Sequence, residues 1–287
     1  MPTLTTDDGV KLHYEEAGSG APLVFVHEFA GDLRSWELQM AHFARLYRCI
    51  AYNARGYPPS DVPKSIEQYS QDRATDDIRA VLDALKIDKA HIVGLSMGAY
   101  TAALLGYMYP KRALSLTIAG AGSGSERAYI EEFRKASKQN AEDFIKKGTP
   151  AVVQAYGLSP ARISFAVKDP RGFDEFNKMF AEHDAKGSGN TVRGFQAERP
   201  SLYDLETDLR KVTVPSLIVV GDEDDPCLEP SFFLKQWITT SGLVVFPKTG
   251  HVVNQEEPGL FNEAVADFIA RVEAGRWPAR DPRSIRK

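Results

Sequence analysis

Cysteine is scarce in this chain, which contains only two cysteines among 287 residues. Cys49 lies in an apolar run and Cys227 in an acidic turn, so they build no disulfide framework and lack the spacing of zinc ligands. We therefore predict neither a metal site nor a fold that disulfide bonds stabilise. A chain of this length buries about three quarters of its unfolded surface, which suits one large domain or one domain with a sizeable insertion.

Positive charge is not in excess, and no secretory leader is recognisable. Lysine and arginine number 35 against 39 acidic residues, which gives a net charge of -4. This balance gives no electrostatic reason to expect nucleic acid or an anionic membrane as a partner. Residues 1–16 have no basic segment followed by an apolar core. We therefore expect a cytoplasmic protein that acts on a small molecule, and the sequence leaves a homodimer open.

Uncharged hydrophobic runs are mostly short, and the stretch 90–110 is an exception. It has about the length needed to cross a bilayer, but three glycines and the polar residues His91, Ser96 and Thr101 interrupt it. Its residue order instead predicts a strand, a sharp turn at 94–98 (GLSMG) and a helix. A serine at such a turn presents its hydroxyl at the end of a sheet, and the glycines are needed where strand and helix backbones pass closely. Ser96 is thus the candidate nucleophile.

Strand-like and helix-like patterns alternate over most of the chain. Apolar and polar residues alternate over 10–17, which predicts a half-exposed strand, and apolar runs typical of buried strands occupy 22–27, 48–52, 113–119, 214–221 and 243–246. Apolar residues recur at helical spacing in 35–46, 72–86, 230–239 and 258–272. This alternation predicts an α/β fold with a mostly parallel central sheet, right-handed crossovers and helices on both faces. Catalytic groups in such sheets lie at the C-terminal ends of the strands.

The alternation breaks between residues 122 and 208. This region has charged and aromatic residues at helical spacing, punctuated by glycine and proline, and no obvious strand. We predict a helical cap over residues 122–208, inserted into a core domain formed by residues 1–121 and 209–287. Most aromatic residues of the cap are expected to form its own core, and some to line a pocket for an apolar or aromatic substrate.

A serine hydroxyl becomes nucleophilic only with a base beside it and a group that orients the base. Among the six histidines, His251 is best placed because it follows the last strand and so returns to the edge of the sheet where Ser96 lies. The acidic turn 222–225 follows the strand before it, and no carboxylate directly follows the strand 113–119. We select Asp224 as the orienting acid, with its neighbours at 222 and 225 as alternatives.

The chain resembles the α/β-hydrolase superfamily over essentially its whole length. The family's three catalytic motifs are matched in order by the turn 94–98, by Gly221-x-x-Asp224 and by Gly250-His251. The resemblance implies an oxyanion hole formed by the backbone N–H groups of Phe29 and Met97. A donor of this kind typically contributes roughly 3 kcal/mol to transition-state stabilisation.

Some residues around the expected site depart from the family's pattern. His27-Glu28 stands where the family usually has His-Gly, and a carboxylate beside a developing oxyanion is repulsive unless it is paired or turned away. We hypothesise that Glu28 pairs with a cation such as Arg55. Substrate contacts are expected from His27, Glu28, Tyr100 and Val252.

The identity of the nucleophile narrows the family comparison. Ser96 argues against haloalkane dehalogenases and most epoxide hydrolases of this fold, which use aspartate. Carbon-carbon bond hydrolases share a serine triad, but their Gly/Pro-rich oxyanion loop and the tryptophan after the histidine are absent here. We therefore predict a serine hydrolase of a small carboxylic ester, lactone or amide that forms an acyl-enzyme and needs no metal or cofactor. The alternatives are carbon-carbon bond hydrolysis, acyl transfer to an alcohol, and a small-molecule receptor that keeps the triad.

Overall fold

The computed structural model describes residues 1–284, so the last three residues of the predicted core range lie outside the described residues. The strands are β1 (Thr3–Thr5), β2 (Lys11–Ala17), β3 (Pro22–Val26), β4 (Arg48–Tyr52), β5 (Ala90–Leu95), β6 (Ala113–Ala119), β7 (Ser216–Gly221) and β8 (Ser241–Phe246). They form one sheet in the order β1-β2-β4-β3-β5-β6-β7-β8. β1, β2 and β4 pair antiparallel, and the remaining pairs are parallel. The predicted mostly parallel sheet is confirmed.

The helices of residues 1–284 include those that lie on both faces of the sheet, as predicted, and those of the region 122–208. They are α1 (Glu37–Phe43), α2 (Gln71–Ala84), α3 (Met97–Met108), α4 (Ile130–Lys147), α5 (Thr149–Gly157), α6 (Ile163–Lys168), α7 (Pro170–Ala181), α8 (Ala185–Asn190), α9 (Glu206–Leu209), α10 (Asp225–Trp237), α11 (Val253–Glu256) and α12 (Pro258–Glu273). α1 and α12 cover one face, and α2, α3 and α10 cover the other.

Side chains of the central strands alternate between two hydrophobic cores. Leu23 and Phe25 of β3 enter the core beneath α1 and α12, whereas Val24 and Val26 enter the core beneath α2 and α3. Successive residues of a strand point to opposite faces, and a strand covered on both faces therefore reads as a continuous apolar run. Burial of both faces holds each central strand in place in the sheet. The loops that follow the parallel strands are therefore held at the same edge of the sheet.

The structure differs from the sequence prediction at two elements. β1 was not predicted, because a strand of three residues is too short for an alternating pattern to be recognised. The predicted helix 230–239 begins instead at Asp225 and ends at Trp237. The earlier start is possible because Pro226 occupies the first turn, where a helix has no acceptor for the missing N–H. Asp224 consequently lies immediately before a helix rather than in a free loop.

The region 122–208, which we call the helical insertion, contains no strand within the described part of the chain. Phe173, Phe176 and Phe180 of α7 are buried, in keeping with an aromatic core of the insertion, whereas Tyr129 is 60% exposed. Among residues 1–284, no helix combines the length and the apolar character that crossing a bilayer requires.

Candidate active site

Ser96 lies at the turn between β5 and α3 in a strained backbone conformation, with φ 52° and ψ -109°. Such an angle is unusual for a residue other than glycine, and strained residues of this kind cluster at functional sites. The flanking glycines permit the turn. A Cβ on Gly94 would lie 2.2 Å from the carbonyl oxygen of Gly98, and one on Gly98 would lie 2.1 Å from that of Val26. A residue larger than glycine at position 94 or 98 would therefore not fit, and the turn that carries Ser96 packs closely against β3.

The structure brings Ser96, His251 and Asp224 together from three separate parts of the chain. His251 Nε2 lies 2.8 Å from Ser96 Oγ, and His251 Nδ1 lies 2.7 Å from Asp224 Oδ2. Asp224 is 1% exposed and His251 5% exposed. Because an ionised carboxylate only accepts hydrogen bonds, the imidazole proton lies on Nδ1, and the Nε2 lone pair faces the serine hydroxyl. This is the geometry of a base held ready to take a proton from the serine.

Phe29 and Met97, the expected oxyanion donors, border this site. Neither backbone N–H donates to another residue within the described chain, and Met97 is the first residue of α3, where a helix provides no acceptor. His27 orients the Glu28–Phe29 peptide. Its Nε2 accepts a hydrogen bond from the N–H of Ala54 at 3.0 Å, so the proton lies on Nδ1, which donates to the Glu28 carbonyl at 2.6 Å. In a trans peptide this bond also fixes the direction of the Phe29 N–H.

Glu28 pairs with Arg162, and the expected pairing with Arg55 is wrong. Arg162 Nη2 lies 2.5 Å from Glu28 Oε2, with the two side chains 6% and 1% exposed. Burial lowers the pKa of Arg162, but the charge and hydrogen bond of Glu28, together with the nearby Tyr156 and Asp224, offset this and raise the pKa above its ordinary value. Arg55 instead contacts Asp77 at 2.6 Å and Asp8 at 2.8 Å. Asp77 is buried and Asp8 is exposed, and the sequence of the turn 53–60 gave no sign that Arg55 would pair with either of them.

A cavity of about 510 Å³ lies above Ser96. Its lining comes from the loops at the strand ends and from the helical insertion. The loops contribute Phe29, Ser96, Asp224, Asp225 and His251. Residues of the insertion that line the cavity include Phe133, Ser137, Phe144, Tyr156, Arg162, Val192, Gln196 and Arg199. The volume is large enough for a small organic molecule.

None of the four residues expected to contact substrate lines this cavity. His27 is 1% exposed and bonded to backbone on both ring nitrogens, and Glu28 is turned toward Arg162. The Tyr100 hydroxyl bonds to Ser125, and Val252 is fully buried in the core. These expectations are wrong because proximity in sequence to Ser96 or His251 does not set the direction of a side chain. The arginines at 162 and 199 were missed, although Arg162 interrupts the otherwise uncharged stretch 161–166.

Asp224, Cys227 and His251 are close enough together to be considered as metal ligands, since one ligand atom of each lies within 4.8 Å of the others. Their chemistry does not fit a metal. Burial raises the pKa of the Cys227 thiol well above its ordinary value, so the thiolate that binds metals does not form near neutral pH. The carboxylate of Asp224 and Nδ1 of His251 already bind each other.

Comparison with known proteins agrees with this architecture. A family model described as alpha/beta hydrolase fold matches residues 21–258. The chain is 26% identical over 272 residues to 3-oxoadipate enol-lactonase 2 of Acinetobacter baylyi, with 94% of this chain and 96% of that one covered. It is 28% identical over 286 residues to 2-hydroxymuconate semialdehyde hydrolase of a Pseudomonas species, with 93% of each chain covered. A thermophilic esterase from Thermogutta terrifontis has the same fold, with a TM-score of 0.84, 24% identity, and 94% and 98% of the two chains covered. Because the family model matches most of its length, this chain belongs to the α/β-hydrolase fold family.

Proposed function

We propose that this protein is a serine hydrolase that cleaves a small carboxylic ester or lactone through an acyl-enzyme. The observation that carries the proposal is the continuous hydrogen-bonded line from Asp224 through His251 to Ser96, with distances of 2.7 and 2.8 Å. A binding pocket alone has no use for a strained serine beside an imidazole that is held by a buried carboxylate.

In the proposed reaction, His251 Nε2 takes the proton of Ser96 Oγ as the oxygen attacks the carbonyl carbon of the substrate. The carbonyl oxygen becomes an oxyanion, which the N–H groups of Phe29 and Met97 would stabilise. The imidazolium then gives its proton to the leaving alcohol oxygen as the C–O bond breaks. Water attacks the acyl-enzyme in the second half, with His251 again accepting a proton and returning it to Ser96.

An ester or a lactone is favoured over a carbon-carbon bond because both have an oxygen leaving group that His251 can protonate directly. The similarity to an enol-lactonase and to a structure described as an esterase supports this choice. The similarity to 2-hydroxymuconate semialdehyde hydrolase keeps carbon-carbon bond hydrolysis as the competing outcome. Transfer of the acyl group to an alcohol would differ only in the second half of the reaction.

The test uses 4-nitrophenyl esters of two to eight carbons and a γ-lactone, with wild type, Ser96→Ala and Ser231→Ala. Ser231 is buried on α10, outside the cavity, and serves as a matched serine control. We expect Ser96→Ala to lower kcat by roughly 10⁴-fold or more and Ser231→Ala to leave it unchanged. A fluorophosphonate should add to Ser96, as seen by mass spectrometry. Turnover that survives in Ser96→Ala would refute the proposal, and ligand binding without turnover or adduct would favour a receptor.

A further inference from the structure

The cavity above Ser96 contains two arginines that differ in their counter-charge. Arg162 is paired with Glu28. Arg199 is 8% exposed as a residue, yet no carboxylate of residues 1–284 lies within 4.0 Å of its guanidinium nitrogens. A buried cation without a partner is costly, because the energy of removing it from water is not repaid. Such a group within a substrate cavity is a candidate for binding an anion.

Arg199 is held in place by contacts that do not neutralise it. Its Nη2 donates to the carbonyl oxygen of Ser123 at 2.5 Å, and its Cζ lies 3.9 Å from the centre of the Tyr100 ring and 5.8 Å from that of Phe133. Within the described chain, Nε and Nη1 donate to no other residue. The stacked ring keeps the guanidinium plane fixed, so the free N–H groups form a preorganised edge.

The other charged groups of the cavity do not compete for Arg199. Asp224 is bonded to His251, and Glu223 and Asp225 are exposed to solvent. Polar side chains of the insertion, Ser137 and Gln196, line the same cavity and form no hydrogen bond to other residues of the described chain. The insertion side of the cavity therefore offers Arg199, with no carboxylate of residues 1–284 in contact, together with neutral polar groups. The carboxylates of Glu223 and Asp225 border the cavity from the loop after β7, on its solvent-exposed side.

We propose that Arg199 binds a carboxylate of the substrate, so that the preferred esters or lactones carry a carboxylate group in addition to the bond that is cleaved. This proposal rests on the proposed function and specifies its substrate class. A planar guanidinium with free N–H groups matches a carboxylate, and one uncompensated charge matches a monoanion. Arg199 and Ser96 line the same cavity, so one small substrate can contact both of them.

The test compares two pairs of esters. In the first, 4-nitrophenyl hydrogen adipate and 4-nitrophenyl hexanoate differ in a carboxylate on the acyl side. In the second, 4-acetoxybenzoate and methyl 4-acetoxybenzoate differ in a carboxylate on the leaving group. Rates in buffer alone are subtracted. Wild type, Arg199→Met, Arg199→Lys and Arg193→Met are measured, the last because Arg193 is an exposed arginine of the neighbouring turn 191–196.

We expect Arg199→Met to lower kcat/KM for the carboxylate ester of at least one pair by about 10- to 100-fold, mainly through KM, and to change the neutral ester by less than about threefold. For the carboxylate ester, kcat/KM of Arg199→Lys should lie between the values of wild type and Arg199→Met, and kcat/KM of Arg193→Met should match that of wild type. An equal loss on both members of each pair would assign Arg199 a purely structural role and overturn the proposal. Unchanged selectivity in both pairs would also overturn it.

A binding measurement separates this proposal from the proposed hydrolase activity. Ser96→Ala and Ser96→Ala/Arg199→Met are titrated calorimetrically with monomethyl adipate, which carries one carboxylate. We expect binding to weaken by at least about tenfold in the double variant, whether or not any ester is hydrolysed. Equal affinities would overturn the role of Arg199 even if the esterase assay succeeds. If Arg199→Met does not fold, as judged by circular dichroism, Arg199→Gln replaces it in both experiments.

Discussion

Removal of Arg162 tests how much stability the buried pair with Glu28 controls. The Glu28 side chain is 1% exposed, and Arg162→Met removes its only charged partner among residues 1–284. Its Oε1 already has no hydrogen-bond partner among the described residues, so the second oxygen is left equally unsatisfied. Breaking a buried ion pair by removing one member typically costs about 3–5 kcal/mol. We expect the free energy of unfolding to fall by this amount and Tm to fall by roughly 6–20 °C.

The double variant Glu28→Gln/Arg162→Met provides the decisive comparison. Replacing both charges removes the desolvation cost together with the attraction, and such replacements are often close to neutral. We therefore expect the double variant to regain most of the lost stability, to within about 2 kcal/mol of wild type.

The assay is equilibrium unfolding in urea, followed by the fluorescence of the three tryptophans. A loss below about 1 kcal/mol in Arg162→Met would refute the reasoning, since it would mean that the pair is solvated or that the cavity relaxes around it. A double variant that is less stable than either single variant would refute it as well. In that case the pair would contribute net stability through its contacts rather than through charge balance.

Three further predictions concern groups described above. Burial lowers the pKa of His27 from 6.5 to about 4, so the unfolded chain binds its proton at higher pH than the folded one, and stability should fall by about 3 kcal/mol as the pH drops from 6.5 to 4. Unfolding free energies at several pH values should lose this component in His27→Asn, and an unchanged pH dependence would contradict it. Asp224→Asn should lower kcat for an activated ester by roughly 10⁴-fold because His251 loses its orienting acceptor, and a loss below tenfold would contradict this. Cys49 and Cys227 are fully buried, and burial raises the pKa of Cys49 to about 12. We therefore expect neither thiol to react with Ellman's reagent until the protein is unfolded. Rapid modification of the native protein would refute their burial.

The fold was predictable because its signals are local and repeated. Local sequence alone indicates the backbone conformation of the apolar runs in β3, β4 and β6 and of the turn at Ser96. Parallel pairing then places the C-terminal ends of the strands at one edge. For that reason the proximity of Ser96, Asp224 and His251 could be expected from sequence before their distances were known.

The substrate side of the site was less predictable because it depends on packing over long sequence separations. Arg162 meets Glu28 across 134 positions, and the helical spacing of the insertion does not specify which of its side chains face the sheet. Tyr100 and Val252 were expected in the cavity because they neighbour Ser96 and His251 in sequence. Both instead face the protein interior, where α3 and the final loop pack.

Two adjacent residues of the helical insertion contact the loops of the reaction centre, with consequences for how specificity can evolve. The N–H of His251 donates to the carbonyl of Ala161 at 2.7 Å, and the next residue is Arg162, the partner of Glu28. Exchanging residues 122–208 for those of a relative would leave the pairing of β6 with β7 intact, since no strand lies in this range. The recipient would nevertheless inherit an orphaned carboxylate and an unanchored histidine loop. Residue 28 and the insertion must therefore change together, and a chimaera with glycine at position 28 should tolerate foreign insertions that the native residue does not.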